Sequence, residues 1–317
     1  MRVIVTGCSG FIGFHLSKKL LDKGNDVLGL DNFSSITQRK LTSQRLKILE
    51  SYSNFSFFRN SINDIGSLCI SGNIDFIINL AAIPGVRLRR EQYDMYMESN
   101  VQGLKNIFDF CVKKNIKKLI FASSSSVYGR HSKLPFSETE NNLEPESFYG
   151  LTKKINEDMG RLLSKQNNIK VAALRFFSVY GEYGRPDMAY FLFANQIKNN
   201  LTVRLNNMGK MMRDMTYIDD IVNGIELAIN HIENDNSDNF FEIINLGNDK
   251  PVQVSHMLRL IEKNMSKKAK IVDGKSYNEL ISTHADLSKA KKILKYQPRV
   301  DFEDGIEFFL KWHKNFF

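Results

Sequence analysis

The sequence predicts an α/β protein built on a doubly wound parallel sheet, with a smaller C-terminal lobe for a substrate. Three observations predict it. Short apolar runs alternate with amphipathic helical stretches up to residue 176. A glycine-rich turn joins the first run to the first helix. Beyond residue 180 the alternation loosens into turns, helices and one late apolar run. Strands that alternate with helices pair in parallel, because each crossover carries the chain back over the sheet.

The elements follow in order. "RVIVTG" (2–7), "DVLGLD" (26–31), "FSFFRN" (55–60), "DFIINLAA" (75–82), "KKLIFASS" (117–124) and "KVAALRF" (170–176) read as strands. Between them, 13–24 and 101–115 carry helical periodicity, with Gly24 and Asn115 as helix-end residues. After "YGEYGRPD" come a helix, a basic segment and the helix "TYIDDIVNGIELAINHI" (216–232). "FEIINLGN" (241–248) reads as a strand returning to the main sheet, and 248–317 alternate helix and loop. The expected division is residues 1–178 plus 217–246 for a dinucleotide-binding domain. Residues 179–216 plus 247–317 then form the substrate lobe.

Composition excludes several classes. A chain of 317 residues, 42% of them hydrophobic, can bury one large core with an appended lobe. No apolar run approaches the roughly 18–20 residues that span a bilayer, so no membrane partner is expected. "MRVIVTG" starts at once as a strand and lacks signal-peptide features, and Cys8, Cys69 and Cys111 show no metal or redox spacing. A cytoplasmic protein without a metal is the expectation. The net charge of +9 lies in scattered lysines rather than one block, which disfavours nucleic acid and suits a small anionic substrate.

"VIVTGCSGFIG" places Gly7, Gly10 and Gly13 after the first strand and at the start of a helix. Small residues there admit a pyrophosphate to the helix N-terminus, where free N–H groups and the helix dipole favour an anion. Asp31 closes the second strand, about twenty residues on, where a carboxylate accepts ribose hydroxyls and repels a 2′-phosphate. NAD is therefore the expected cofactor; Arg39 and Arg45 follow, but neither adjoins the strand end. With "NLAA" (79–82), the Gly-x-x-Gly-x-x-Gly spacing resembles the extended short-chain dehydrogenase/reductase family, whose fold is of the Rossmann type. The resemblance implies cofactor contacts from Gly7, Gly10, Phe11, Ile12, Gly13, Asp31, Asn32, Asp64, Ile65, Leu80, Ala81, Ala82, Asn100, Tyr149 and Lys153. Asn79 stands where many members have His.

"SFYGLTKKINED" puts Tyr149 and Lys153 four apart on one helix face, the only Tyr-x-x-x-Lys pair among 11 tyrosines. A cation beside a phenol favours the phenolate, so Tyr149 could take the proton of an alcohol whose hydride leaves for NAD. The same resemblance makes Ser124 the third catalytic residue and lets Lys153 bond the nicotinamide ribose. Relatives that dehydrate nucleotide sugars have Asp-Glu at the next two positions, and decarboxylating relatives a Glu. Here stand Ser125 and Ser126, which do not titrate usefully near neutral pH. Oxidation followed by re-reduction remains, which is epimerisation.

"RFFSVYGEYGRPDMAYFLF" (175–193), "PGVR" (84–87), "SSSSVYG" and "GKMMRDMTYIDD" (209–220) resemble the UDP-glucuronate 4-epimerases over almost the whole chain. This implies interconversion of UDP-glucuronate and UDP-galacturonate through a 4-keto intermediate with transient NADH. A UDP-linked hexuronic acid is the expected partner, its carboxylate held by hydroxyls of Ser125, Ser126 and Ser178 and by the Arg185 fork. Arg213 is at the diphosphate position and Asp286 at a ribose position. "NELI" (278–281) departs from the family's Gly-Asp-x-Pro, with Lys275 as a substitute cation. Arg87 reaches the diphosphate or sugar, or pairs with Glu91. A UDP-glucose or UDP-N-acetylglucosamine epimerase and a non-catalytic nucleotide-binding module are the alternatives. The resemblance also implies a homodimer through segments near 89–113 and 147–166.

Overall fold

The structure is a computed structural model that describes residues 1–34, 39–85, 90–237, 240–274 and 280–317. Arg87 and Lys275 lie outside the described residues. The first half runs β1 (Arg2–Thr6), α1 (Phe11–Asp22), β2 (Asp26–Leu30), α2 (Arg39–Leu49), β3 (Phe55–Phe58) and β4 (Phe76–Asn79). Next come α3 (Tyr93–Tyr96), a π-helical turn (Met97–Gln102), α4 (Gly103–Lys113), β5 (Lys118–Ser124), α5 (Phe148–Asn167) and β6 (Lys170–Phe176). The second half runs β7 (Ser178–Tyr180), α6 (Ala189–Lys198), β8 (Thr202–Asn206), β9 (Met212–Tyr217), α7 (Ile218–Asn234) and β10 (Phe241–Leu246). It ends with β11 (Pro251–Gln253), α8 (Val254–Met265), β12 (Lys270–Gly274), α9 (Ser288–Leu294) and α10 (Phe302–Phe316).

Seven strands form one sheet in the order β10-β6-β5-β4-β1-β2-β3, every neighbour parallel. This is the doubly wound sheet expected from the alternation, and β10 does return to it beside β6. The central strands are apolar on both faces because helices cover both: Val3, Ile4, Val5, Ile77, Ile78, Leu119 and Ile120 are all buried. The order reverses between β1 and β4, and a ligand crevice opens at such a switch point, beyond the C-terminal strand ends.

Two sequence expectations shift. α1 begins at Phe11 rather than 13, because extended Gly10 serves as its N-cap and Gly13 lies inside the first turn. The C-terminal region holds short strands as well as helices: β11 pairs with β9, which pairs with β7, and β12 pairs with β8. Gly24 and Asn115 end their helices with φ of +76° and +54°. None of the described helices is long and apolar enough to cross a membrane.

Candidate active site

A cleft of about 1400 Å³ lies beyond the C-terminal ends of the main strands. One wall is the glycine turn. Gly7 has φ +68°, and a Cβ on it would stand 2.9 Å from the Ala81 nitrogen. A Cβ on Gly13 would stand 2.0 Å from the Gly7 carbonyl oxygen, a backbone atom that cannot give way. The glycines therefore let β1, α1 and the 80–82 strand end meet. No side chain caps α1, so its first N–H groups face the cleft, and the buried Ser9 hydroxyl has no partner among the described residues. Asp31 accepts from Ser9 N–H at 3.1 Å and Phe33 N–H at 2.9 Å, which fixes the carboxylate at the cleft rim. An uncapped helix N-terminus, an orphaned hydroxyl and a fixed acid fit an anionic dinucleotide.

Phe11, Ile12, Asn32, Leu80, Ala81 and Ala82 also line this wall. Three expected contacts do not. Asp64 is exposed and Ile65 is buried within a 3-10 turn, while Asn60, Ser61 and Ile62 line the cleft instead. The Asn100 amide is consumed elsewhere: it accepts from Ile83 N–H at 2.8 Å and donates to the Ile83 carbonyl and Thr152 hydroxyl, both at 3.2 Å. It thus ties the 83 loop to α5. Asn79, the departure from His, accepts from Thr6 Oγ1 at 2.5 Å, and Thr6 in turn accepts from Ala81 N–H.

The serine run divides where the strand ends: Ser123 and Ser124 are the last residues of β5, and Ser125 opens a 3-10 turn. Ser123 is buried and donates to Glu157 at 2.5 Å. Ser123 also borders the cleft beside Ser124, Ser125 and Ser126, and the Ser124 hydroxyl accepts from Ser126 N–H at 3.1 Å. Behind them Arg175 forks onto Glu157 at 2.8 and 2.7 Å and donates to Tyr128, whose hydroxyl donates to Asn245. Sequence reading missed this network, although Glu157 lies four residues after Lys153 on the same helix face.

Ser147 caps α5 by accepting from Gly150 N–H at 3.0 Å, and the first turns present Tyr149 and Lys153 to the cleft. Lys153 donates to the Ala122 carbonyl at 2.8 Å, and its ammonium stands 5.7 Å from the Tyr149 ring centre. Burial pulls Lys153 down to about 8, against the pull of Glu157. Burial pushes the Tyr149 phenol up; the Arg185 charge and the Ser124 hydrogen bond oppose this without cancelling it. The Lys153 ammonium is turned toward the Ala122 carbonyl, and the Arg185 charge also bears on the phenol.

The far wall comes from β7, the loop after it, and β9. Ser178, Arg185 and Arg213 line it. Arg185 forks onto Asp187, Nε to Oδ1 at 3.1 Å and Nη2 to Oδ2 at 2.6 Å. Burial works against the Arg185 charge, but Asp187, with Tyr149 and Tyr190, raises its pKa on balance. Gly85, at φ +94°, brings its backbone close: a Cβ there would be 3.4 Å from Arg185 Nη2. Asp286 stays out of the cleft and accepts from Ser288 N–H at 2.8 Å, at the start of α9; Thr283 and Leu280 line the cleft there. No cluster of metal-ligating side chains occurs among the described residues.

Residues 3–247 match the NAD dependent epimerase/dehydratase family. An uncharacterized protein of Methanocaldococcus jannaschii is 43% identical over 98% of this chain and 95% of its own. UDP-glucuronate 4-epimerase 4 of Arabidopsis thaliana is 35% identical over 100% of this chain and 76% of its own. The crystal structure of UDP-glucuronic acid 4-epimerase from Bacillus cereus, in complex with UDP-glucuronic acid and NAD, superposes with a TM-score of 0.89. It is 32% identical, covering 100% of both chains.

Proposed function

The chain belongs to the NAD-dependent epimerase/dehydratase family, and on that premise we propose that it interconverts UDP-glucuronate and UDP-galacturonate by inverting C4. It is an isomerase of the extended short-chain dehydrogenase/reductase type that uses NAD. One observation carries the choice of sugar: the hydroxyls of Ser125, Ser126 and Ser178 and the Arg185 guanidinium line the same cleft as Ser124, Tyr149 and Lys153. A C6 carboxylate needs such donors, and each hydrogen bond to a charged group contributes roughly 1.5–3 kcal/mol.

The glycine turn and Asp31 hold the dinucleotide. NAD, when bound, accepts the C4 hydride and returns it to the opposite face of the sugar. Tyr149 takes the O4 proton and gives it back, helped by the Ser124 hydroxyl. Lys153 supplies positive charge beside it while orienting against Ala122. The keto sugar is a β-keto acid that could lose CO₂. Serine hydroxyls and Arg185 keep its carboxylate charged and anchored, and no acid stands at positions 125 or 126 to assist that loss. Arg213 serves the diphosphate.

The Asp187 carboxylate in the Arg185 fork is the feature that favours a neutral-sugar epimerase. Turnover of UDP-glucuronate, UDP-glucose and UDP-N-acetylglucosamine without added reductant separates the readings. Preference for the uronate is expected, lost by about ten-fold or more in Arg185→Gln for one charged hydrogen bond removed. Equal turnover of all three would overturn the proposal. We also propose a cytoplasmic homodimer. Exposed Met95, Met97 and Val112 on the α3–α4 segment, and Leu151 and Leu162 on α5, support its interface.

A further inference from the structure

Helix α2 turns Leu41, Thr42, Arg45 and Leu49 inward. Arg45 is thereby fully buried, with 0% exposure. Its hydrogen bonds all go to backbone carbonyls. Nη1 donates to Ser9 at 2.9 Å, while Nη2 donates to Tyr183 and, at 3.3 Å, to Gly184. Its Nε has no partner among the described residues. A buried guanidinium without a forked carboxylate is costly; the three carbonyls and the nearby charge of Asp31 hold it where it borders the cleft.

Those carbonyls belong to the two halves of the site. Ser9 sits in the glycine turn and also donates its N–H to Asp31. Gly184 directly precedes Arg185. The 181–184 loop is built to be held from the dinucleotide side. Tyr183 has φ +53°, unfavourable for a side-chain-bearing residue, and packs 5.0 Å from Phe14 and 4.9 Å from Trp312. The Glu182 carbonyl meets the His15 ring of α1 at 3.0 Å. Two helices beside the glycine turn thus grip the backbone that aims Arg185.

We propose that Arg45 is a positioning residue that couples loading of the dinucleotide to recognition of the sugar's carboxylate. A dinucleotide seated on the glycine turn immobilises Ser9, Arg45 carries that constraint to Tyr183 and Gly184, and Arg185 is set for the uronate. The proposal rests on the uronate reading above. Coupling of this kind is reciprocal, so a bound carboxylate must retain the dinucleotide in return.

The test follows NAD release from the purified holoenzyme in saturating UDP-glucuronate, UDP-glucose or UDP. The wild type should lose NAD roughly ten-fold more slowly with UDP-glucuronate than with UDP-glucose, a common size for coupling between sites. In Arg45→Met that margin should shrink to about one while the effect of UDP-glucose persists; a merely structural defect would weaken both alike. A margin kept in Arg45→Met overturns the proposal. So does a wild type that prefers UDP-glucuronate in turnover yet shows no margin. Absence of any uronate preference in turnover removes the functional reading and this proposal together. Should Arg45→Met fail to fold, hydrogen exchange on the wild type decides. The 181–187 amides should exchange faster once NAD is removed, and unchanged exchange overturns the coupling.

Discussion

Replacing Glu157 with Gln should damage both the stability and the pH range of the enzyme. The Arg175–Glu157 pair is almost wholly enclosed, its side chains 2% and 3% exposed. Glu157 accepts from two Arg175 nitrogens and from Ser123. Gln preserves the shape but leaves a buried guanidinium without its counter-charge. Breaking a buried pair in this way costs roughly 3–5 kcal/mol. Native domains are stable by only about 5–15 kcal/mol, so the loss should be plain in urea denaturation. The second effect concerns Lys153, which burial draws down to about 8 while Glu157 draws it up. Its ammonium is lost as pH rises through that value. Without Glu157 the value falls, so the alkaline limb of kcat/KM should move to lower pH. Adding Arg175→Met removes the stranded charge and should recover stability, yet the limb should stay displaced. An unmoved limb in Glu157→Gln, with an unchanged denaturation midpoint, would refute the reasoning.

Tyr149→Phe should abolish turnover while UDP binding, measured calorimetrically, stays near wild type. Gly13→Ala sets a Cβ 2.0 Å from the Gly7 carbonyl oxygen, so NAD should no longer copurify; retained NAD would show that the turn can yield. Asp187→Asn frees the Arg185 fork of its internal acid and should lower KM for UDP-glucuronate several-fold, leaving KM for UDP-glucose unchanged. A rise in both would instead mark Asp187 as the orienting group. Leu162→Glu puts a charge at a residue left 56% exposed and should shift the sedimentation of the proposed dimer toward monomer.

The Rossmann half was legible because its signals are local. Strand runs, the glycine spacing and helix ends at Gly24 and Asn115 each follow from a few neighbouring residues. The direction of a side chain is less local. Family position places Asp64, Ile65, Asn100 and Asp286 near a ligand, but turn geometry and competing backbone donors direct them elsewhere. Alternation along β5 separates Ser123 from Ser124, but the 3-10 turn that carries Ser125 and Ser126 is not read from it. The burial of Arg45 could not be read locally, since its acceptors at Tyr183 and Gly184 lie 138 and 139 residues away. The pairings of β7 with β9 and of β12 with β8 are likewise long-range and leave no local trace.

Asp187 gives the Arg185 fork a resident acid of its own. A guanidinium so occupied keeps its orientation between visits by substrate instead of relaxing into water. In the role proposed for Arg185, an incoming hexuronate would trade places with a tethered twin, and that exchange would temper its grip. For a catalyst that must let a ring swing over and then depart, a hold that is easily surrendered is worth more than a tight one.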